Sequence, residues 1–113
     1  MIDKTLNIND LLITFEVMAD SSHKGVPWEI IFDNLKDIVS YSARNVIERV
    51  KENKLKGYDI SASLKKAGIS DILCSIVEAG ERHGKLPESL DVCRDIIKHE
   101  KEMRDTVREL TMY

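Results

Sequence analysis

Glu78 and Glu81 stand three residues apart, His83 follows two residues later, and Cys74 and Cys93 lie on either side of the segment. On one turn of a helix, two carboxylates can share a site and separate their pKa values, one working as acid and the other as base. With His83 they would also form a small metal set, and Cys74 and Cys93 with a histidine would form a zinc set if three helices met there. Against these readings, His23, His83 and His99 are scattered, and none has a second histidine at the spacing that aims two imidazoles at one ion from one helix face. No nucleophile stands beside a base, so no catalytic, metal or cofactor-binding residue is expected. Gly80-x-x-x-Gly84 lacks the preceding strand and the following Lys-Ser/Thr of a phosphate loop. The two cysteines fall at apolar helical positions and read as small buried hydrophobes of a reducing compartment.

The glycines carry more information. Glycine costs about 1 kcal/mol against alanine in a helix interior. Gly80 is therefore read as a point where another helix approaches closely, and Gly84 as the left-handed residue that closes the helix. Leu86 is expected to pack back against the end of that helix while Pro87 opens the next. Glu81 and Arg82, beside this tight turn, are read as held for a polar contact within the bundle or with a partner. Arg82, His83 and Lys85 form the candidate contact patch.

The elements that would carry these residues are all helical. Ile8, Leu11, Leu12, Phe15, Met18 and Ala19 follow one amphipathic stripe that ends near Ser21. A polar turn through Gly25 leads to Pro27, suited to the first turn of a second helix with Trp28, Ile31, Phe32, Leu35 and Ile38 inward. The third helix is read from Tyr41 to Leu55, with Ala43, Val46, Ile47 and Val50 inward, Arg44 and Glu48 paired outside, and Gly57 beyond its end. Ser61 is the candidate N-cap of a short fourth helix carrying Leu64 and ending at Gly68. Ser70 caps a fifth with Ile72, Leu73, Ile76, Val77 and Gly80 in its stripe. The last begins at Pro87, with Leu90, Cys93, Ile97, Val107 and Leu110 broadly on one side. At 1.5 Å per residue, roughly 24 residues span about 36 Å. The opposite charges of Lys98 and Glu102, Glu100 and Arg104, and Lys101 and Asp105 suit a solvated distal half. The expectation is an all-α fold, a bundle of six antiparallel helices with short turns and a long C-terminal helix, in a single domain over 1–113.

Composition agrees. With 113 residues, 33% charged and 42% hydrophobic, the chain can bury one modest core, and 5% aromatic content argues against a β-sandwich. A net charge of −3 with both signs interspersed gives no field for phosphate backbones, so nucleic acid is not an expected partner. The opening Met1-Ile2-Asp3-Lys4 shows no basic stretch before a long apolar run, so no signal peptide is expected, and no segment reaches the roughly 20 apolar residues that cross a bilayer. On this reading the chain is soluble and cytosolic.

On these residues the chain resembles the type II secretion F family, the inner-membrane platform proteins of type II secretion and type IV pilus assembly. The cytoplasmic domain of that family carries an apolar pair, then Ala-Gly-Glu, a variable residue, Ser-Gly and a variable residue before Leu. Here the segment reads Ile76-Val77-Glu78-Ala79-Gly80-Glu81-Arg82-His83-Gly84-Lys85-Leu86. Gly25-Val26-Pro27 is similar to the family's first turn, and Gly57-Tyr58-Asp59-Ile60-Ser61-Ala62-Ser63-Leu64 to its Gly-x-x-Leu-Ser-x-Ala-Leu segment. The charged last helix from Leu90 completes a likeness running from about Leu11 to Leu110. His83 in place of the usual serine, and Ser70-Asp71 in place of an aromatic-proline pair, mark a divergent member.

The resemblance implies a non-catalytic scaffold on the cytoplasmic side of a bacterial inner membrane, docking the assembly ATPase and other platform proteins and forming a homo-oligomer. It also implies that the domain is one part of a longer, membrane-embedded protein. Two further readings stand beside it. One is a free-standing helical adaptor that recruits a partner helix through exposed apolar residues such as Met103 and Met112. The other is a small metalloenzyme using Glu78, Glu81 and His83.

Overall fold

Helical periodicity and left-handed glycine stops divide the chain into α1 (Ile8–His23), α2 (Trp28–Ile38), α3 (Arg44–Leu55), α4 (Ile60–Lys66), α5 (Asp71–Arg82) and α6 (Leu86–Thr111). A single 3₁₀ turn, Tyr41–Ala43, precedes α3. The structure, a computed structural model, describes residues 5–112; the segment read for a signal peptide, 1–4, lies outside them, as does 113. Among the described residues there is no strand.

Each helix packs on the next in sequence, and α6 returns to lie along α1 as well as α5, which closes the ring. The interior holds Leu11, Phe15 and Met18 of α1, Ile31, Phe32 and Leu35 of α2, and Val46, Ile47 and Val50 of α3. Ile60 and Leu64, Leu73 and Val77, and Leu90, Cys93 and Ile97 complete it from α4, α5 and α6. Trp28 stacks on Phe32 with ring centroids 5.6 Å apart. On the outside, Lys36–Glu48 at 2.6 Å and Lys51–Asp33 at 2.7 Å clasp α2 to α3. His23–Asp91 at 2.7 Å fastens the end of α1 to α6.

Several expected details differ. Tyr41–Ala43 forms the 3₁₀ turn rather than the first turn of α3, α1 runs on to His23, and α6 starts at Leu86 with Pro87 in its first turn. Glu48 turns to Lys36 instead of Arg44, whose guanidinium lies 5.3 Å from the Tyr41 ring centroid. Ile38 is exposed because the chain leaves the helix at Val39, whose extended backbone sends its own side chain into the core. Ile72 is 65% exposed: the inward face of α5 is Leu73, Cys74, Val77 and Gly80, and Ile72 falls a quarter turn or more off it. Val107 and Leu110 are exposed: the helix period turns them away from the face of Leu90, Cys93 and Ile97, and no residue of α6 beyond Ile97 is buried. At 1.5 Å per residue α6 is about 39 Å long.

Candidate functional site

The corner between α5 and α6 is built from the backbone outward. The Lys85 N–H donates to the Gly80 carbonyl at 2.8 Å and the Gly84 N–H to the Glu81 carbonyl at 3.5 Å, the paired bonds that close a helix through a left-handed residue. Gly84 has φ +67°, which favours glycine. Gly25 and Gly57 hold the equivalent left-handed positions after α1 and α3, and Pro27 is the residue immediately before α2.

Gly80 is buried where α6 begins. A Cβ there would lie 2.5 Å from Ser89 Cβ and 2.9 Å from the Lys85 carbonyl oxygen, closer than real Cβ atoms come to either. Ser89 is itself buried and its hydroxyl donates to the Leu86 carbonyl at 2.7 Å. Leu86 is partly buried and packs on the core.

Glu81 points to α4. Its carboxylate accepts from the Ile60 N–H at 2.8 Å, the Ser61 N–H at 3.4 Å and, in a short bond, the Ser61 hydroxyl. These are donors that the first turn of a helix leaves without an intrahelical acceptor. The N-cap of α4 is Asp59, which makes no side-chain cap bond, so Ser61 is not the N-cap. The sequence pointed to a polar contact of Glu81 within the bundle but not to its partner, because the capping carboxylate comes from 20 residues away.

A second carboxylate does the same work elsewhere. Asp10, buried in the first turn of α1, accepts from the Ser40 N–H at 3.0 Å and from the Ser40 hydroxyl, tying α1 to the 3₁₀ turn. Asn7 caps α1 by accepting from the Asp10 N–H at 2.9 Å. The Asn7-x-x-Asp10 spacing was a readable signal for that local half.

The chemistry-bearing residues do not converge. Glu78 is exposed on an open groove of about 150 Å³ between α4 and α5, lined also by Ser61, Lys65, Asp71 and Cys74, whereas the Glu81 carboxylate is engaged with α4. His83 and His99 are exposed, and His23 is paired with Asp91. Among the described residues no group of three metal-capable side chains comes together. Cys74 and Cys93 are both buried, and burial, with Cys74 nearby as a lesser cause, pushes the Cys93 thiol up to about 12 from 9.0, so it stays protonated and unreactive at neutral pH. What the corner does present is Arg82, His83 and Lys85, all exposed and with no ion pair to a described residue. Among the described residues no helix is long and apolar enough to cross a membrane.

Among the described residues, six helices around one buried core, helix ends capped from distant elements and a corner of exposed Arg82, His83 and Lys85 define an all-helical domain. Residues 14–113 match the family described as type II secretion system (T2SS), protein F, and the chain belongs to that family. The family supplies inner-membrane platform components of type II secretion and pilus assembly and is a structural domain. No match was found among curated proteins.

Proposed function

We propose that this chain is a non-catalytic scaffold domain on the cytoplasmic side of a bacterial inner membrane, part of a longer platform protein, that docks the assembly ATPase and neighbouring platform components. The observation that carries the reading is the family match over 14–113, on a bundle in which the Glu81 and Asp10 carboxylates are spent on helix ends. A rigid bundle transmits motion: closely packed interiors are stiff and pass displacement from one face to another. The domain would thus convey ATPase movement to the membrane part. Self-association into a homo-oligomer belongs to the same reading. Arg82, His83 and Lys85 are the proposed docking residues, because a closed helix turn holds them outward and none forms an ion pair with a described residue. A photocrosslinking side chain placed at each of the three positions in the native protein should capture the assembly ATPase in cells. Crosslinks that never include it would remove the docking claim.

A further inference from the structure

One surface lies outside this reading and does not depend on it. Val92, Ile96, His99, Met103, Val107 and Leu110 follow one another at intervals of three and four along α6, and all are exposed. This line runs on a different side of the helix from Leu90, Cys93 and Ile97, which face the bundle. From Val92 to Leu110 it extends about 27 Å. Beside it Glu88, Asp95, Glu102 and Glu109 recur every seven residues, all exposed, so that Asp95-Ile96, Glu102-Met103 and Glu109-Leu110 repeat an acid-then-apolar pair. Glu88, Glu102 and Glu109 make no ion pair with a described residue, and Asp95 meets only its neighbour Arg94, at 3.1 Å. An apolar seam with a single-sign charged row at seven-residue spacing is the surface of a helix that pairs with another helix, the charges selecting partner and orientation.

The acidic row decides between occupants. A second copy laid antiparallel would set this row against itself, and a parallel copy would bring Asp95 opposite Glu100, so both self-pairings juxtapose like charges. An anionic lipid surface meets the same acidic row, which outnumbers Arg104 and Arg108 on the far edge of the seam. We propose that this face of α6 binds an amphipathic helix of another polypeptide, one with an apolar seam edged by lysine or arginine.

The test uses the 113-residue chain and two synthetic helical peptides of matching length with the same leucine seam, one flanked by lysine and one by glutamate. The lysine peptide should bind at least about tenfold more tightly. Met103→Lys and the pair Glu102→Lys with Glu109→Lys, at exposed positions that leave the helical spectrum and unfolding midpoint unchanged, should each weaken it by about tenfold or more. Glu29→Lys, on α2, should not. The proposal is overturned if the two peptides bind alike, if neither binds, or if Glu29→Lys matches the α6 variants. It is equally overturned if the chain alone sediments as a dimer that Met103→Lys dissociates, or if it binds anionic vesicles through this face.

Discussion

The carboxylate of Glu81, near the end of α5, takes both the backbone N–H and the hydroxyl of Ser61 in the first turn of α4. The contact joins a residue of the glycine corner to a helix 20 residues earlier. It gives Glu81 a structural task, and it leaves Arg82, His83 and Lys85 as the outward-facing part of the same corner.

Removing the carboxylate strands the donors of Ile60 and Ser61. Glu81→Ala should destabilise the fold by about 1–3 kcal/mol, the cost of leaving partly buried polar groups without partners. Ser61→Ala should cost less, since the backbone bonds to Glu81 remain. Urea denaturation checks both, and a Glu81→Ala midpoint equal to that of the parent would refute the capping role.

Gly80→Ala pits two effects against each other. Alanine is the better helix former by about 1 kcal/mol, but its Cβ would fall 2.5 Å from Ser89 Cβ and 2.9 Å from the Lys85 carbonyl oxygen. Overpacking of this kind costs about 1–3 kcal/mol, so a net loss of stability is expected. Adding Ser89→Gly should recover part of it, and a double-mutant cycle measures the coupling. Strict additivity would show that the helices do not meet there.

The elements were legible in the sequence because helix period and glycine stops are local: the stripes Leu11, Phe15, Met18 and Ile31, Phe32, Leu35 read directly as buried faces. What escaped was nonlocal. No spacing rule links Glu81 to Ser61 or Asp10 to Ser40, since each pair meets only after the ring closes. Val107 and Leu110 were misread for a different reason: apolar residues at intervals of three and four on α6 fall into two stripes, and only the one through Leu90, Cys93 and Ile97 faces the bundle.

The Cys93 thiol, pushed up to about 12 by burial, bears on alkaline stability. Above pH 9 the unfolded chain loses the thiol proton while the folded chain keeps it, so this group lowers stability between about 9 and 12, by about 1.4 kcal/mol per pH unit. Cys93→Ala should flatten that part of the pH profile of unfolding. At pH 8 a thiol reagent should modify Cys93 only under denaturing conditions; rapid labelling of Cys93 itself in the native protein, located by peptide mapping, would contradict its burial.

Arg82→Glu reverses one charge of the exposed corner and touches no described hydrogen bond or ion pair. Its unfolding free energy should stay within about 0.5 kcal/mol of the parent, while secretion or pilus output in the native host should fall. Intact output with an intact fold would exclude Arg82 from the docking surface.

The most direct measurement is a calorimetric titration of the purified chain with its cognate assembly ATPase, run in parallel with the Arg82→Glu variant. The scaffold reading predicts saturable binding in the micromolar range that the charge reversal weakens. No heat of binding at high micromolar concentrations of both proteins would contradict it.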